Sequence, residues 1–269
     1  MAELVAVTEA GHPLLADFVA LGDPATRRRV ERDGGYFVVE GTLAIERLLA
    51  LPRWTVRSLA LLPRVADRLA PLLATTGAPV AVAPEAVLRE VVGFDLHRGA
   101  LASVERVPAP PAAALLPARG LVVVAEGVND HENLGALYRN AAAFGAAAVL
   151  LDPTCADPFY RRSVRVSLGN VLAVPTGALG PLPDGFGELH AAGVATVALT
   201  PGGDRELADL TRRELGDGAV AVVVGAEGPG LAAGTIAAAR HRVRIAMAPD
   251  VDSLNVATAA AIALHHLSR

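Results

Sequence analysis

Apolar residues fall along the chain in two alternating kinds of run. Short continuous runs at 36–39, 56–62 and 80–83 read as buried strands, and the stretches 43–49 and 65–73 between them carry apolar residues at helical spacing. This predicts a small α/β domain over residues 1–107. The run Val107-Pro108-Ala109-Pro110-Pro111, continuing to Pro117, mixes proline and alanine with almost no charge. It predicts a stiff extended connection over 108–119. From residue 120 the alternation is cleaner, with strands expected at 121–125, 147–151, 171–174, 194–199, 219–224 and 243–247 and a closing helix at 254–267. Continuous apolar strands joined by helices imply a parallel sheet covered on both faces, so residues 120–269 form a second α/β domain.

Composition narrows the function classes. The 24 basic side chains are all arginine and stand against 28 Asp plus Glu, a net charge of −4. A nucleic-acid partner would therefore be met by a local cluster and not by the total field. Cys155 is the single cysteine, which excludes an internal disulfide and the thiolate-rich zinc sites. A reducing cytoplasm is the expected compartment. No apolar run approaches the roughly 18 residues of a membrane span, so no membrane partner is expected.

Three segments are rich in residues that strands and helices do not need. The first runs from Glu126-Gly127-Val128-Asn129-Asp130 through Asn133-Leu134-Gly135 to Arg139-Asn140, the second is Gly225-Ala226-Glu227-Gly228-Pro229-Gly230, and the third is Asp250-Val251-Asp252-Ser253-Leu254-Asn255-Val256. Each follows an expected strand, and ligands of open α/β sheets bind at the carboxyl ends of strands. Glycines let a ligand approach the backbone, and helix N-termini offer free N–H groups. A nicotinamide dinucleotide is the first candidate, but its G-x-G-x-x-G turn is absent: Gly127 and Gly135 are too far apart, and the second segment reads G-x-x-G-x-G.

Together, Asn133-Leu134-Gly135 with Arg139, then Gly225-Ala226-Glu227-Gly228, then Ser253-Leu254-Asn255-Val256, resemble in order and spacing the three signature motifs of the SpoU (TrmH) branch of SPOUT RNA methyltransferases. The resemblance covers residues 120–269. In the first domain, Phe37-Val38-Val39-Glu40-Gly41 and Arg98-Gly99-Ala100-Leu101-Ala102 look like the ribosomal-protein-like substrate-binding domain that many of these enzymes carry. Asn140 stands where threonine is common, and Ala257 and Thr258 depart from the residues usual after the third core.

This resemblance implies a deep trefoil knot in the C-terminal domain, an S-adenosylmethionine donor, a homodimer, and methylation of a ribose 2′-hydroxyl in rRNA or tRNA, with rRNA slightly preferred. Carried over by residue, it puts Arg139 at the catalytic centre with Asn133, Glu227, Ser253 and Asn255 around it. The donor would lie against Thr200, Gly225, Ile245, Met247, Leu254 and Asn255. Arg161, Arg162 and Arg165 on one expected helix, and Arg27, Arg28 and Arg29, are candidate contacts to RNA phosphates.

Each residue also has a plainer role. Asn133 and Ser253 precede helical runs and suit N-caps, and Asn255 would then sit in the first helical turn. Glu227 suits the positive end of the helix after it. Arg139 projects away from the stripe of Leu134, Leu137, Tyr138 and Ala141, as a solvated arginine would. Asp250 and Asp252 give too few oxygens for a calcium loop, and His131, His265 and His266 lack metal-ligand spacing with Cys155, so no metal is expected. The competing function is a noncatalytic RNA-binding or ribosome-assembly factor on the same fold.

Overall fold

The computed structural model describes residues 3–23, 34–96 and 99–268. Arg27, Arg28, Arg29 and Arg98 lie outside the described residues. The chain divides into two compact units, Met1–Val107 with Phe159–Ala173, and Pro108–Pro158 with Val174–Arg269.

The first unit is built on a five-stranded sheet of β1 (Leu4–Ala6), β2 (Tyr36–Glu40), β3 (Val56–Leu61), β4 (Val80–Val82) and β5 (Ala100–Glu105), in the order β1-β4-β3-β5-β2. β5 runs antiparallel to both neighbours, and the other pairs are parallel. β2 is buried throughout, so its inward and outward residues cannot alternate in polarity. The helices present one stripe each: Ala44, Ile45 and Leu48 on Thr42–Leu49, and Val65, Ala66, Leu69 and Leu73 on Pro63–Leu73, where Pro63 enters at the first helical position.

The segment Phe159–Ala173 completes this unit from the middle of the other one. Phe159 stacks with Phe37 at 4.9 Å and Trp54 at 5.3 Å, and the Trp54 indole N–H donates to the Leu172 carbonyl at 3.0 Å. Gly169 sits so close to helix Thr42–Leu49 that a Cβ there would stand 2.9 Å from the Ala44 Cα. Arg161 and Arg165 lie on helix Arg161–Val166, as expected, but they turn to the buried Glu40 carboxylate, at 2.7 Å and 3.9 Å. Arg161 also stacks over Phe94 at 4.3 Å. A buried carboxylate must be paired, so these arginines are held by the fold, while Arg162 stays exposed.

The second unit carries β6 (Gly120–Glu126), β7 (Val149–Leu151), β8 (Thr176–Ala178), β9 (Ala195–Leu199), β10 (Arg205–Glu206), β11 (Ala219–Gly225) and β12 (His241–Arg244), in the order β10-β12-β9-β11-β6-β7-β8. All six pairings are parallel, so every strand's carboxyl end emerges at one edge. Val122, Val124, Leu150, Ala221 and Val223 fill the core on one face, with Phe186 and Leu189 of a covering helix.

Three expectations change here. Residues 171–174 are not a strand: Asn170–Ala173 is a helical turn, entered through Gly169 at φ 78°, and the strand starts after Pro175. An apolar run of four does not distinguish the two states. The strand expected at 243–247 is His241–Arg244, two residues earlier, so Ile245 and Met247 lie in the loop beyond it. Its arginines are paired, Arg242 with Asp204 at 2.8 Å and Arg244 with Glu206 at 3.3 Å. Residues 108–119 are not a bare connection either, because Ala112 is fully buried and the Pro110 carbonyl accepts from Ala178 N–H at 2.8 Å. Proline holds extended backbone with no N–H to satisfy, which suits a sheet edge.

Because Phe159–Ala173 packs into the first unit, deleting residues 1–107 should uncover Phe159, Val164, Val171 and Leu172. The truncated chain should bind an environment-sensitive apolar dye strongly where the full chain does not. Equal dye fluorescence from both would contradict this packing.

Candidate functional site

The three motif-bearing loops meet at the carboxyl edge of the parallel sheet through their own side chains. Helix His131–Ala143 is capped by Asp130, whose Oδ1 accepts from the N–H groups of Glu132 and Asn133, each at 2.8 Å. Asn133 therefore falls inside the first turn and is not the cap. Its side chain is buried, and its Nδ2 donates to Glu227 Oε2 at 2.7 Å. Its Oδ1 accepts from Asn255 Nδ2 at 2.6 Å.

Asn255, expected in the first turn, is the N-cap of Val256–Leu267. Its Oδ1 accepts from Ala257 N–H at 3.0 Å and Thr258 N–H at 3.2 Å. Two backbone donors on that oxygen fix which end of the amide is which. The Asn255 NH₂ must face Asn133, the Asn133 NH₂ must face Glu227, and Glu227 must accept. Ser253, the other expected cap, is exposed, and the cap falls two residues later. Ala257 and Thr258 contribute backbone N–H groups here, so their side chains are free to differ. Asn140, seven residues after Asn133 and so on the same helical face, donates from Nδ2 to the Ala257 carbonyl at 2.7 Å.

Glu227 does not cap the helix that follows its loop. Glu126 does: its Oε2 accepts from Ala232 N–H at 2.8 Å and its Oε1 from Thr235 Oγ1 at 2.6 Å, at the start of helix Ala233–Ala238. One strand over, the buried Asp152 accepts from Gly127 N–H at 3.0 Å and from Thr154 Oγ1 at 2.7 Å. These two carboxylates brace the first and second loops from below. The sequence reading missed both, along with the Asp130 cap. The available signal was an Asp three residues before Asn133 and an acidic residue ending an apolar strand.

The expected donor residues lie on neighbouring loops of the same edge. Gly225 ends β11, and a Cβ there would stand 2.2 Å from the Gly230 carbonyl carbon, because the loop folds back through left-handed Gly228 and Gly230. Gly203 is equally confined, its position for a Cβ 2.3 Å from the Val243 carbonyl carbon. Thr200 N–H donates to the Val243 carbonyl at 3.0 Å. Ile245 and Met247 are half-buried and Leu254 is exposed, leaving apolar side chains beside polar backbone, which suits a nucleoside with an aromatic face and a polar edge.

Arg139 stands apart. At about 100° per residue it lies about 120° around the helix from Asn133. It is exposed and makes no hydrogen bond or ion pair among the described residues. Asp250 and Asp252 are exposed, and no group of three metal-binding side chains occurs among the described residues. No helix among them is long and apolar enough to cross a membrane.

The cap geometry separates two neighbours. Asn255→Ala should lower stability by about 1 kcal/mol, and Ser253→Ala by less than about 0.5 kcal/mol, in urea unfolding. A reversed order would contradict the assigned cap. Burial pushes the half-buried Cys155 thiol up to about 12, so it should resist alkylation at neutral pH in the native protein and react after unfolding. Fast native alkylation would contradict its environment.

Residues 120–265 match the model of the SpoU rRNA Methylase family. The chain is 40% identical to an uncharacterized tRNA/rRNA methyltransferase of Mycobacterium tuberculosis, over 98% of this chain and 91% of that protein. It superposes with a TM-score of 0.81 on an AdoMet-bound rRNA methyltransferase from Sinorhizobium meliloti, 26% identical, covering 98% of this chain and 97% of that one. A structure of an RNA 2′-O ribose methyltransferase, also 26% identical, superposes with a TM-score of 0.76 over 98% of both chains. The α/β fold, the parallel sheet with its loops at one edge and the match over residues 120–265 agree: this chain belongs to the SpoU rRNA methylase family.

Proposed function

We propose that this protein transfers a methyl group from S-adenosylmethionine to a ribose 2′-hydroxyl of rRNA or tRNA. The observation that carries this reading is the hydrogen-bond chain Asn255–Asn133–Glu227, which ties together the three loops that bear the family's motifs. The family description favours rRNA. S-adenosylmethionine supplies a methyl group already activated by its sulfonium. The protein has to align a hydroxyl with it and manage one proton.

Thr200, Gly225, Ile245, Met247, Leu254 and Asn255 hold the donor, through backbone groups and apolar contact. Glu227 keeps Oε2 on Asn133, and its Oε1 is open to accept a hydrogen bond from the nucleotide. A guanidinium does not release its proton in proteins, so Arg139 acts by orientation and charge, gripping a phosphate beside the reacting ribose. Ser253 stands next to this site in the third loop.

Arg139 lies about 120° around its helix from Asn133 and forms no hydrogen bond with that network among the described residues, which supports a homodimer in which the partner's chain completes the site. Exposed Ile262 on the closing helix and exposed Val251 and Leu254 before it supply apolar surface for that association. The close passage of Gly203 against Val243 and of Gly225 against Gly230 supports the trefoil knot of the family. Residues 1–107 serve as the RNA-gripping domain, and the exposed Arg162 on helix Arg161–Val166, packed with that domain, is a candidate phosphate contact. Cytoplasmic location fits the reduced Cys155.

Labelled methyl transfer to total RNA, read at the 2′-O position, tests the reading. Arg139→Ala should lower single-turnover transfer by orders of magnitude while AdoMet affinity by calorimetry and the melting temperature stay near wild type. Arg139→Lys should rescue poorly, since an ammonium lacks the planar fork. Near wild-type turnover in Arg139→Ala would return this residue to a surface role. RNA binding by the wild type without any methyl transfer would favour the noncatalytic factor.

A further inference from the structure

The parallel sheet has a second edge, opposite the loops just described, and it carries an uncompensated positive cleft. Arg119 directly precedes β6, and Gly216–Gly218 directly precedes β11. Ala219 pairs with Gly120, so the amino ends of the two central strands are level. Arg119, Arg212, Arg213, Gly216 and Asp217 line an open surface cleft of about 520 Å³ at this point.

The arginines there differ from those on the nearby sheet edge. Arg205, Arg242 and Arg244 each pair with a carboxylate, Glu214, Asp204 and Glu206, at 3.1, 2.8 and 3.3 Å. Arg212 has no carboxylate partner among the described residues. Its guanidinium donates to the carbonyls of Gly216 at 3.0 Å and Gly218 at 2.6 Å, which hold the fork in place without neutralising it. Arg119 and Arg213 form no ion pair among the described residues, and neither does Asp217. Three guanidiniums against one carboxylate leave a formal charge of +2 on this cleft, in a chain whose total is −4.

We propose that this cleft binds the phosphodiester backbone of the RNA substrate, as a contact separate from the methyl-transfer site. The proposal rests on the RNA methyltransferase reading and adds where else the substrate is held. β6 spans six residue steps, so the cleft lies about 20 Å from the motif-bearing loops. No aromatic side chain lines it, so nothing there stacks on a base. Arginine forks recognise phosphate oxygens irrespective of sequence, and contacts of this kind fix the position of a nucleic acid without reading it. A mononucleotide at the donor loops cannot reach this cleft. The substrate is therefore an extended or folded RNA whose backbone runs from one sheet edge to the other.

The test uses the full chain with Arg119→Gln and Arg213→Gln combined, leaving Arg212 to tie its turn, and with Asp217→Asn as a gain-of-binding variant. Binding of a fluorescein-labelled RNA hairpin is measured against salt, together with KM and kcat on total RNA and AdoMet affinity by calorimetry. The double variant should bind the hairpin about tenfold more weakly, with its log–log salt slope reduced by about 1.4–1.8. KM for RNA should rise, while kcat and AdoMet affinity stay within about twofold. Asp217→Asn should tighten hairpin binding.

A wild-type salt slope and KM in the double variant, with the wild type methylating RNA, would overturn the cleft and leave the enzyme reading intact. Loss of slope in the double variant, with no methyl transfer by the wild type, would overturn the enzyme reading and leave the cleft as an RNA contact. Saturable binding of inorganic phosphate that Arg119→Gln/Arg213→Gln abolishes, with hairpin affinity unchanged, would mark a free-anion site and overturn the proposal.

Discussion

The order of the loops at the carboxyl edge of the parallel sheet depends on one polar constraint: the Asn255 side-chain oxygen accepts the first free N–H groups of the closing helix. Helix starts leave N–H groups unsatisfied, and a short polar side chain is the usual remedy. Here the remedy has a second consequence. With the oxygen committed to the helix, the amide NH₂ points to Asn133, and directionality then passes through Asn133 to Glu227. A local requirement of helix formation thereby sets the orientation of a carboxylate 28 residues earlier in the chain. The same side chain cannot be optimised for the cap and for the network independently, because one torsion serves both.

Beneath that network, Glu126 and Asp152 join the loops to the strands. Glu126 ends β6 yet caps the helix after the Glu227 loop, and Asp152 follows β7 yet holds the Gly127 N–H of the first loop. Each carboxylate sits on one strand and serves its neighbour's loop, so displacement of either loop has to break a charge-assisted hydrogen bond. Asn140 does similar service between two helices by taking the Ala257 carbonyl. Its amide reaches a backbone carbonyl across the helix pair.

The sequence made some of this legible and hid the rest for identifiable reasons. β6, β9 and β11 are buried on both faces and read as continuous apolar runs, so their positions and the loops after them were within reach of hydrophobic pattern alone. β12 was placed two residues late because His241 and Arg242 do not read as strand residues until Asp204, 38 residues away, pairs with Arg242. The helical turn Asn170–Ala173 was misread because four apolar residues carry no period, and the decisive contacts, Trp54 on Leu172 and Gly169 on Ala44, come from a distant part of the chain. Arg161 and Arg165 look like solvated phosphate ligands by spacing, and only the fold reveals Glu40 buried beneath them. The motif residues themselves were identifiable, whereas the cap was assigned to Ser253 because helix boundaries shift by a residue or two in any pattern reading.

Methyl transfer from a sulfonium calls for little chemistry from the protein and a great deal of alignment, since a small displacement of the hydroxyl costs more rate than the loss of any one weak contact. The architecture meets that demand with backbone crowding. Gly225 and Gly203 have no room for a methyl group because other backbone lies against them, at 2.2 and 2.3 Å from where a Cβ would be. Loops packed backbone to backbone have few conformations to lose when a ligand arrives, so less of the binding free energy is consumed in ordering them. The side chains at this edge include the plain aliphatics Ile245, half-buried, and Leu254, exposed. Arg139 is exposed on its helix, and Glu227 is fixed by the amide chain. A rigid backbone setting with polar groups already fixed in place is what the alignment of a preactivated methyl group requires.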